Sequence, residues 1–182
     1  MCRFVPYDCL FLVRVYSPFS QTSRMQTIVL SFSDKKELIR ALAESAQETL
    51  PYFDLPQHLL QRSYQKGKWT VRQVLHHLTD AETVLYERIR RVICVPDQVI
   101  WAFDQEAWAV ELNYHQFPMS INKNIFQAVR QAVIYLADEF YESKGEHCFV
   151  HNQTGRRTLK EEFDKIAWHH QGHLKQIRLA LS

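Results

Sequence analysis

Thr70-Val71-Arg72-Gln73-Val74-Leu75-His76-His77-Leu78-Thr79-Asp80-Ala81, followed by Glu82 to Val92, is the stretch that decides the fold. Val71, Val74, Leu75, Leu78, Ala81, Leu85, Ile89 and Val92 recur at three- and four-residue spacing. That period puts them on one face of an α-helix. Thr70 with Gln73 three residues on is a capping box: each side chain reaches a backbone N–H that the first turn leaves free. Gly67 upstream supplies a turn, and Pro96 downstream cannot continue a helix. A long amphipathic helix of this kind needs partners for its apolar face, so the same pattern should recur along the chain.

It does, three more times. Residues 34–50 open with Asp34 and Glu37 as a capping box and carry Leu38, Ala41, Leu42, Ser45, Ala46, Thr49 and Leu50 in phase. Pro51 and Pro56 end or bend that helix. A third helix is expected over about 121–141, with Ile121, Ile125, Ala128, Val129, Ala132, Val133, Leu136 and Phe140 as its stripe. The fourth starts at Thr158, capped with Glu161, and buries Leu159, Phe163, Ile166, Ala167, His170, Leu174, Ile177 and Leu181. Between the second and third helices, residues 97–119 hold Trp101, Phe103, Trp108, Tyr114 and Phe117 without a sustained period. They read as an aromatic-rich excursion packed on the bundle, with a short helix near 104–111. Gly145 and Asn152 to Gly155 mark a polar loop. The reading is a single all-α domain, a four-helix bundle, without internal repeats.

Composition agrees. At 182 residues the chain fits one domain at about 150 residues per domain. Four glycines and six prolines are too few for a turn-rich all-β fold. A net charge of +2 points neither to nucleic acid nor to an acidic membrane surface. Arg88, Arg90 and Arg91 form a small basic cluster without a DNA-binding motif around it. Cys2, Cys9, Cys94 and Cys148 make no CxxC pair and read as reduced thiols of a cytoplasmic protein. No apolar run approaches the roughly 18 residues of a membrane span. Residues 1–24 are apolar but broken by Asp8, Arg14 and Pro18, and they resemble no clean signal peptide. They read as a poorly defined extension or as the product of an early start codon, with Met25 as the alternative start and 25–182 as the domain.

Nine histidines are the unusual feature. His169 and His173 are four residues apart, so both imidazoles can reach one ion from a single helix face. Gln171 and Gly172 occupy the interior of the pair, which excludes the glutamate base of an HExxH protease. On the second helix His77 lies at the edge of the core stripe, whereas His76 shares its face with Arg72, Gln73 and Asp80 and reads as solvated. His77 is therefore the preferred third ligand. His170 faces the stripe and is open to three readings: core residue, support for the ligands, or alternative ligand. Three neutral imidazoles with a free position make a catalytic pattern for zinc, and nickel, iron or manganese are also candidates. A di-iron carboxylate bundle is excluded, since no E-x-x-H occurs.

The string Gly67-Lys68-Trp69-Thr70-Val71-Arg72-Gln73-Val74-Leu75-His76-His77-Leu78 resembles the signature of the DinB-like superfamily, in its YfiT-like branch. Trp168-His169 with His173 is similar to that branch's second motif. Asp104 to Trp108 resembles its DExxW connection, with Gln at 105, and Phe149-Val150-His151 resembles the segment before its last helix. The likeness spans roughly residues 60–182. It implies an up-down-down-up four-helix bundle, a homodimer, and one metal held by His77, His169 and His173. It also implies thiol S-transfer or isomerisation with a low-molecular-weight thiol such as bacillithiol or mycothiol, or hydrolysis. His170, Gln171 and Gly172 depart from relatives that are richer in histidine there.

The first expectation is thus a metal-dependent thiol S-transferase acting on a small electrophile. A metal-dependent hydrolase and a non-catalytic metal-binding bundle are the alternatives. Asp80 and His151 are the candidates for a general base. Arg72, Trp69 and Trp108 are the candidates for holding the thiol. Trp101 and Phe103 are candidate pocket walls.

Overall fold

A computed structural model describes Phe32 and residues 34–182. The expected extension 1–24 and the alternative start at Met25 lie outside the described residues. Among the described residues six helices run in chain order: α1 Lys35–Thr49, α2 Gln57–Leu60, α3 Val71–Cys94, α4 Gln105–Glu111, α5 Met119–Phe140 and α6 Leu159–Leu181. A 3-10 turn over Leu50–Asp54 carries Pro51 at its start and turns the chain out of α1. The four long helices α1, α3, α5 and α6 form the bundle.

The expected caps are present where they can be seen. Thr70 and Gln73 cap α3 reciprocally, as do Thr158 and Glu161 at α6. Asp34 accepts from the Glu37 N–H at the start of α1. Helix directions follow from side-chain partners. Asn122 reaches the Leu75 carbonyl and Arg130 reaches Glu82, so α5 runs parallel to α3. Arg88 meets Glu162 while His77 meets His169, so α6 runs antiparallel to α3. Lys35 at the start of α1 contacts Asp138 near the end of α5. The result is up-down-down-up, as the resemblance implies, with α1 diagonal to α3 and α5 diagonal to α6.

One core centres on Leu38, Leu42, Leu85, Ile89, Val133, Phe149, Phe163 and Ile166. A second, towards the other end, holds Phe53, Val71, Val74, Leu75, Leu78, Phe126 and Ile177. At about 1.5–3 kcal/mol for each fully buried large side chain, these two clusters dominate the stability of the bundle.

Two findings differ from the sequence reading. The first is a three-stranded sheet where only loops were expected. β1 Val99–Ile100 pairs in parallel with β2 Cys148–His151, and β2 pairs antiparallel with β3 Gly155–Thr158. Gly155 at φ +77° makes the turn between β2 and β3. Strands of two and four residues are too short to show a period of two. The second is the phase of α5. Its buried residues are Asn122, Phe126, Arg130, Val133 and Ala137, while Ile121 and Ile125 are exposed. The stripe is one residue further round than its apolar residues suggest, because a buried arginine sits at its centre.

Among the described residues no helix is long and apolar enough to cross a membrane. Cys94 and Cys148 are unpaired.

Near the α1 end of the bundle, the buried Asp164 accepts a 2.9 Å hydrogen bond from the Tyr141 hydroxyl. Burial pushes its carboxyl up to about 6 despite that bond. The folded state therefore favours the protonated acid. Its contribution is present below the ordinary value of 3.8 and is lost as pH rises through about 6. Asp164→Asn keeps an acceptor for Tyr141 and removes the buried charge. It should stabilise the protein at pH 7 by about 2 kcal/mol relative to wild type and by little at pH 4. Urea melts at the two pH values measure this, and an equal gain at both would rule out ionisation as the cause.

Candidate metal centre

Three imidazoles meet where α3 and α6 cross. His77 Nε2 lies 3.0 Å from His169 Nε2, and His173 Nε2 lies 3.2 Å from the same atom. The three form a cluster whose ligand atoms all fall within 4.8 Å of one another. Bonds of about 2.0–2.1 Å at tetrahedral angles put ligand nitrogens roughly 3.3 Å apart, so the spacing suits one small ion. The i,i+4 step on α6 brings His169 and His173 together, and the antiparallel crossing delivers His77 from the far side.

Charge state and tautomer fit the same ion. Burial holds His77 and His169 well below their usual range, and holds His173 at about 4. All three are neutral at pH 7, the form that can donate a lone pair. His173 Nδ1 lies 2.9 Å from Gln176 Oε1, an acceptor, so the proton sits on Nδ1 and Nε2 presents its lone pair to the cluster. Gln176 was missed from sequence, although its i,i+3 spacing from His173 is the available signal. His77 Nδ1 is buried without a hydrogen-bond partner. Trp69 packs on His77 with ring centroids 4.9 Å apart, and Phe103 stacks at 6.4 Å. Trp108 in turn rests on Phe103 at 4.9 Å, one layer from the imidazoles. Trp101 is 72% exposed.

His170 has a different place. Arg130 donates to His170 Nδ1 at 2.9 Å, which fixes the ring proton on Nε2, and Nε2 then donates to Thr49 Oγ1 at 2.7 Å. Both ring nitrogens are thereby used within the bundle. Arg130 also pairs with Glu82 through both Nε and Nη2, and donates to the Leu42 carbonyl and to Ser45 Oγ. Burial alone would raise the Glu82 carboxyl, but the Arg130 guanidinium outweighs it and holds Glu82 below its usual value. This buried network joins α1, α3, α5 and α6 directly beneath His169. Its sequence signal was a charge inside each apolar stripe: Glu82 between Leu78 and Leu85, and Arg130 between Phe126 and Val133.

The solvated reading of His76 and Arg72 is corrected. His76 is 2% exposed and packs against Tyr114 and Phe117. Arg72 is 7% exposed and donates to the carbonyls of Tyr114 and Phe117 at 3.0 and 2.6 Å. The chain after α4 folds over this face of α3, which helical phase alone leaves bare. Arg72 therefore pins the excursion rather than facing a ligand. Asp80 accepts from the Tyr114 hydroxyl at 2.5 Å, and burial raises its carboxyl despite that bond. His151 Nδ1 accepts from the Gln153 and Thr154 N–H groups, and burial lowers the ring to about 4. Neither Asp80 nor His151 joins the three-histidine cluster.

The family profile of the DinB superfamily matches residues 41–177, three quarters of the chain. The chain belongs to the DinB superfamily. Two proteins of Oceanobacillus iheyensis, each bearing the name "Putative metal-dependent hydrolase", are similar to it. One is 28% identical over 123 residues, covering 68% of this chain and 70% of the relative. The other is 32% identical over 124 residues, covering 68% and 72%. Among solved structures, YfiT of Bacillus subtilis, noted for an unusual four-helix bundle topology, superposes with a TM-score of 0.73 over 91% of both chains at 23% identity. An uncharacterised protein of Escherichia coli UTI89 follows at 0.62, with 12% identity over 82% and 94%. These two structural likenesses concern the DinB fold alone.

Proposed function

We propose that this DinB protein is a metal-dependent enzyme of the cytoplasm whose one divalent ion is held by His77, His169 and His173. It joins a low-molecular-weight thiol to a small electrophile. The observation that carries the reading is the convergence of three imidazole Nε2 atoms from two helices at about 3 Å spacing. The names of the Oceanobacillus relatives support the metal. Zinc, nickel, iron and manganese all accept such a donor set.

A divalent ion there supplies Lewis acidity, favouring thiolate over thiol and hydroxide over water at neutral pH. The chain's own residues do the rest. His173 is oriented by Gln176, so its lone pair is aimed before any ion arrives. Trp69 and Phe103 cover the His77 ring and keep bulk water from that side. In the transfer, the thiolate sulfur forms a bond to the electrophilic carbon, and the leaving group departs with the bonding pair. The thiol's proton goes to solvent, since Asp80 and His151 are both engaged elsewhere.

Hydrolysis at the same centre is the second reading, favoured by what the relatives are called. The test mixes metal-loaded protein with 1-chloro-2,4-dinitrobenzene and a panel of small thiols, and separately with p-nitrophenyl acetate. Thioether formation at least about tenfold above the His77→Ala background supports transfer. Ester cleavage without any thiol supports hydrolysis. Turnover in neither, with metal bound, leaves a binding bundle. A homodimer belongs to the same reading, and light scattering of the purified chain tests it.

A further inference from the structure

The connection from β1 to α5 is tied to the bundle at both ends. At the first end Arg88 Nη2 donates to the Trp101 carbonyl, and the Ala102 N–H donates to Asn152 Oδ1, each at 2.7 Å. At the second, Arg72 donates to the carbonyls of Tyr114 and Phe117, and the Tyr114 hydroxyl donates to Asp80. Both arginines stand on α3, with His77 between them in sequence. Residues 103–113 therefore span from one anchor to the other, and Phe103 stacks on the His77 ring on the way.

That span is weakly held. Of the residues of α4 only Ala109 is buried, and Val110 is exposed. A helix of seven residues is marginal on its own, so α4 depends on its Asp104 cap and on what it packs against. Trp108 packs on Phe103 with ring centroids 4.9 Å apart, and Phe103 meets His77 at 6.4 Å with the planes 21° apart. His77 is buried, whereas His169 and His173 are half-buried. Asn113, at φ +48°, joins the span to the anchored Tyr114. Asparagine is one of the few side chains that accepts left-handed backbone, and a single residue of that kind beside a fixed anchor can act as a pivot. Few buried side chains between two fixed ends is the condition for local opening without global unfolding.

We infer that residues 103–113 form a hinged strap whose Phe103–Trp108 pair gates the histidine cluster, opening about Asn113 to pass the ion and the small reactant. The inference deepens the proposed function and rests on it for what passes the gate. Opening parts Phe103 from His77 while the Arg88 and Arg72 anchors keep both ends in place. Phe103 packs on the His77 ring itself, so opening costs the same whether or not an ion is bound. Entry and exit then scale alike with the open fraction, and the affinity stays constant.

Stopped-flow mixing of metal-free protein with cobalt(II), and of cobalt-loaded protein with excess EDTA, reads entry and exit from the visible absorption of the bound ion. In Phe103→Ala both rates should rise about tenfold, with Kd within about twofold of wild type. Phe103→Leu keeps an apolar side chain and should bring both rates most of the way back. Unchanged rates in Phe103→Ala, or a faster exit matched by an equally weakened Kd, overturn the gate. If the protein takes up no cobalt, the metal reading fails separately. Amide hydrogen exchange of the metal-free protein then decides the strap. Exchange of α4 at least about 100-fold faster than the middle of α3, and faster again in Phe103→Ala, sustains it. An α4 as protected as α3, or unmoved by Phe103→Ala, removes it.

Discussion

Replacing His169 by alanine should leave the bundle folded and abolish stoichiometric metal binding. Wild-type protein, expressed without a tag and purified without a nickel column, is expected to carry about one transition metal per chain by elemental mass spectrometry. The alanine variant should retain a small fraction of that. His169 Nε2 is the atom nearest to both other imidazoles, at 3.0 and 3.2 Å, so its loss leaves two ligands on different helices without the one between them. Loss of a residue that merely orients a ligand typically costs 10–100-fold in affinity, so removing a ligand itself should cost at least about 100-fold. The partly exposed ring sits at the edge of the core, so the melting temperature of metal-free protein should move by only a few degrees. Metal-free wild type that stays folded and takes up no added zinc, nickel, iron or manganese would sink the enzyme reading.

The second large effect lies beneath the site. Glu82→Gln removes the counter-charge of an arginine that is 1% exposed and tied to all four bundle helices. Breaking a buried pair from one side leaves an uncompensated charge and costs about 3–5 kcal/mol. For a chain of this length that corresponds to a fall in Tm of roughly 6–20 °C. Replacing both partners with apolar residues, Glu82→Leu with Arg130→Met, should recover part of the loss. Recovery is incomplete because His170 Nδ1 and Ser45 Oγ lose their donor. Thermal unfolding of the single and double variants forms the double-mutant cycle. A single variant within about 2 °C of wild type would mean that the pair contributes little.

The bundle was legible because its information is local. Capping boxes at Thr70 and Thr158 lie within four residues, and the stripes of α1, α3 and α6 need only a period near 3.6. The pairing of His169 with His173 is local for the same reason, and the phase of α3 separated His77 from His76 as the inward-facing partner. Phase failed where a long-range element overrode it. On α5 the apolar residues Ile121 and Ile125 outvoted Arg130, yet the bond from Arg130 to Glu82, 48 residues earlier, turned them to solvent. On α3, Arg72 and His76 have the composition of a wet face. They are dry because Tyr114 and Phe117, about 40 residues later in sequence, fold over them. The short strands escaped notice because their ladder depends on Val99 and Val150 being brought together by the helices.

Sequence by itself thus determined four amphipathic helices, three of them capped, an i,i+4 histidine pair and a third histidine in phase with the core. It also determined membership of the DinB superfamily. Tertiary structure decided which polar side chains are buried: the Glu82–Arg130–His170 network and the Arg72 guanidinium that pins the excursion. The physical reason is one of range. Helix periodicity and capping depend on neighbours within four residues, whereas the cost of burying a charge depends on whatever the fold places against it.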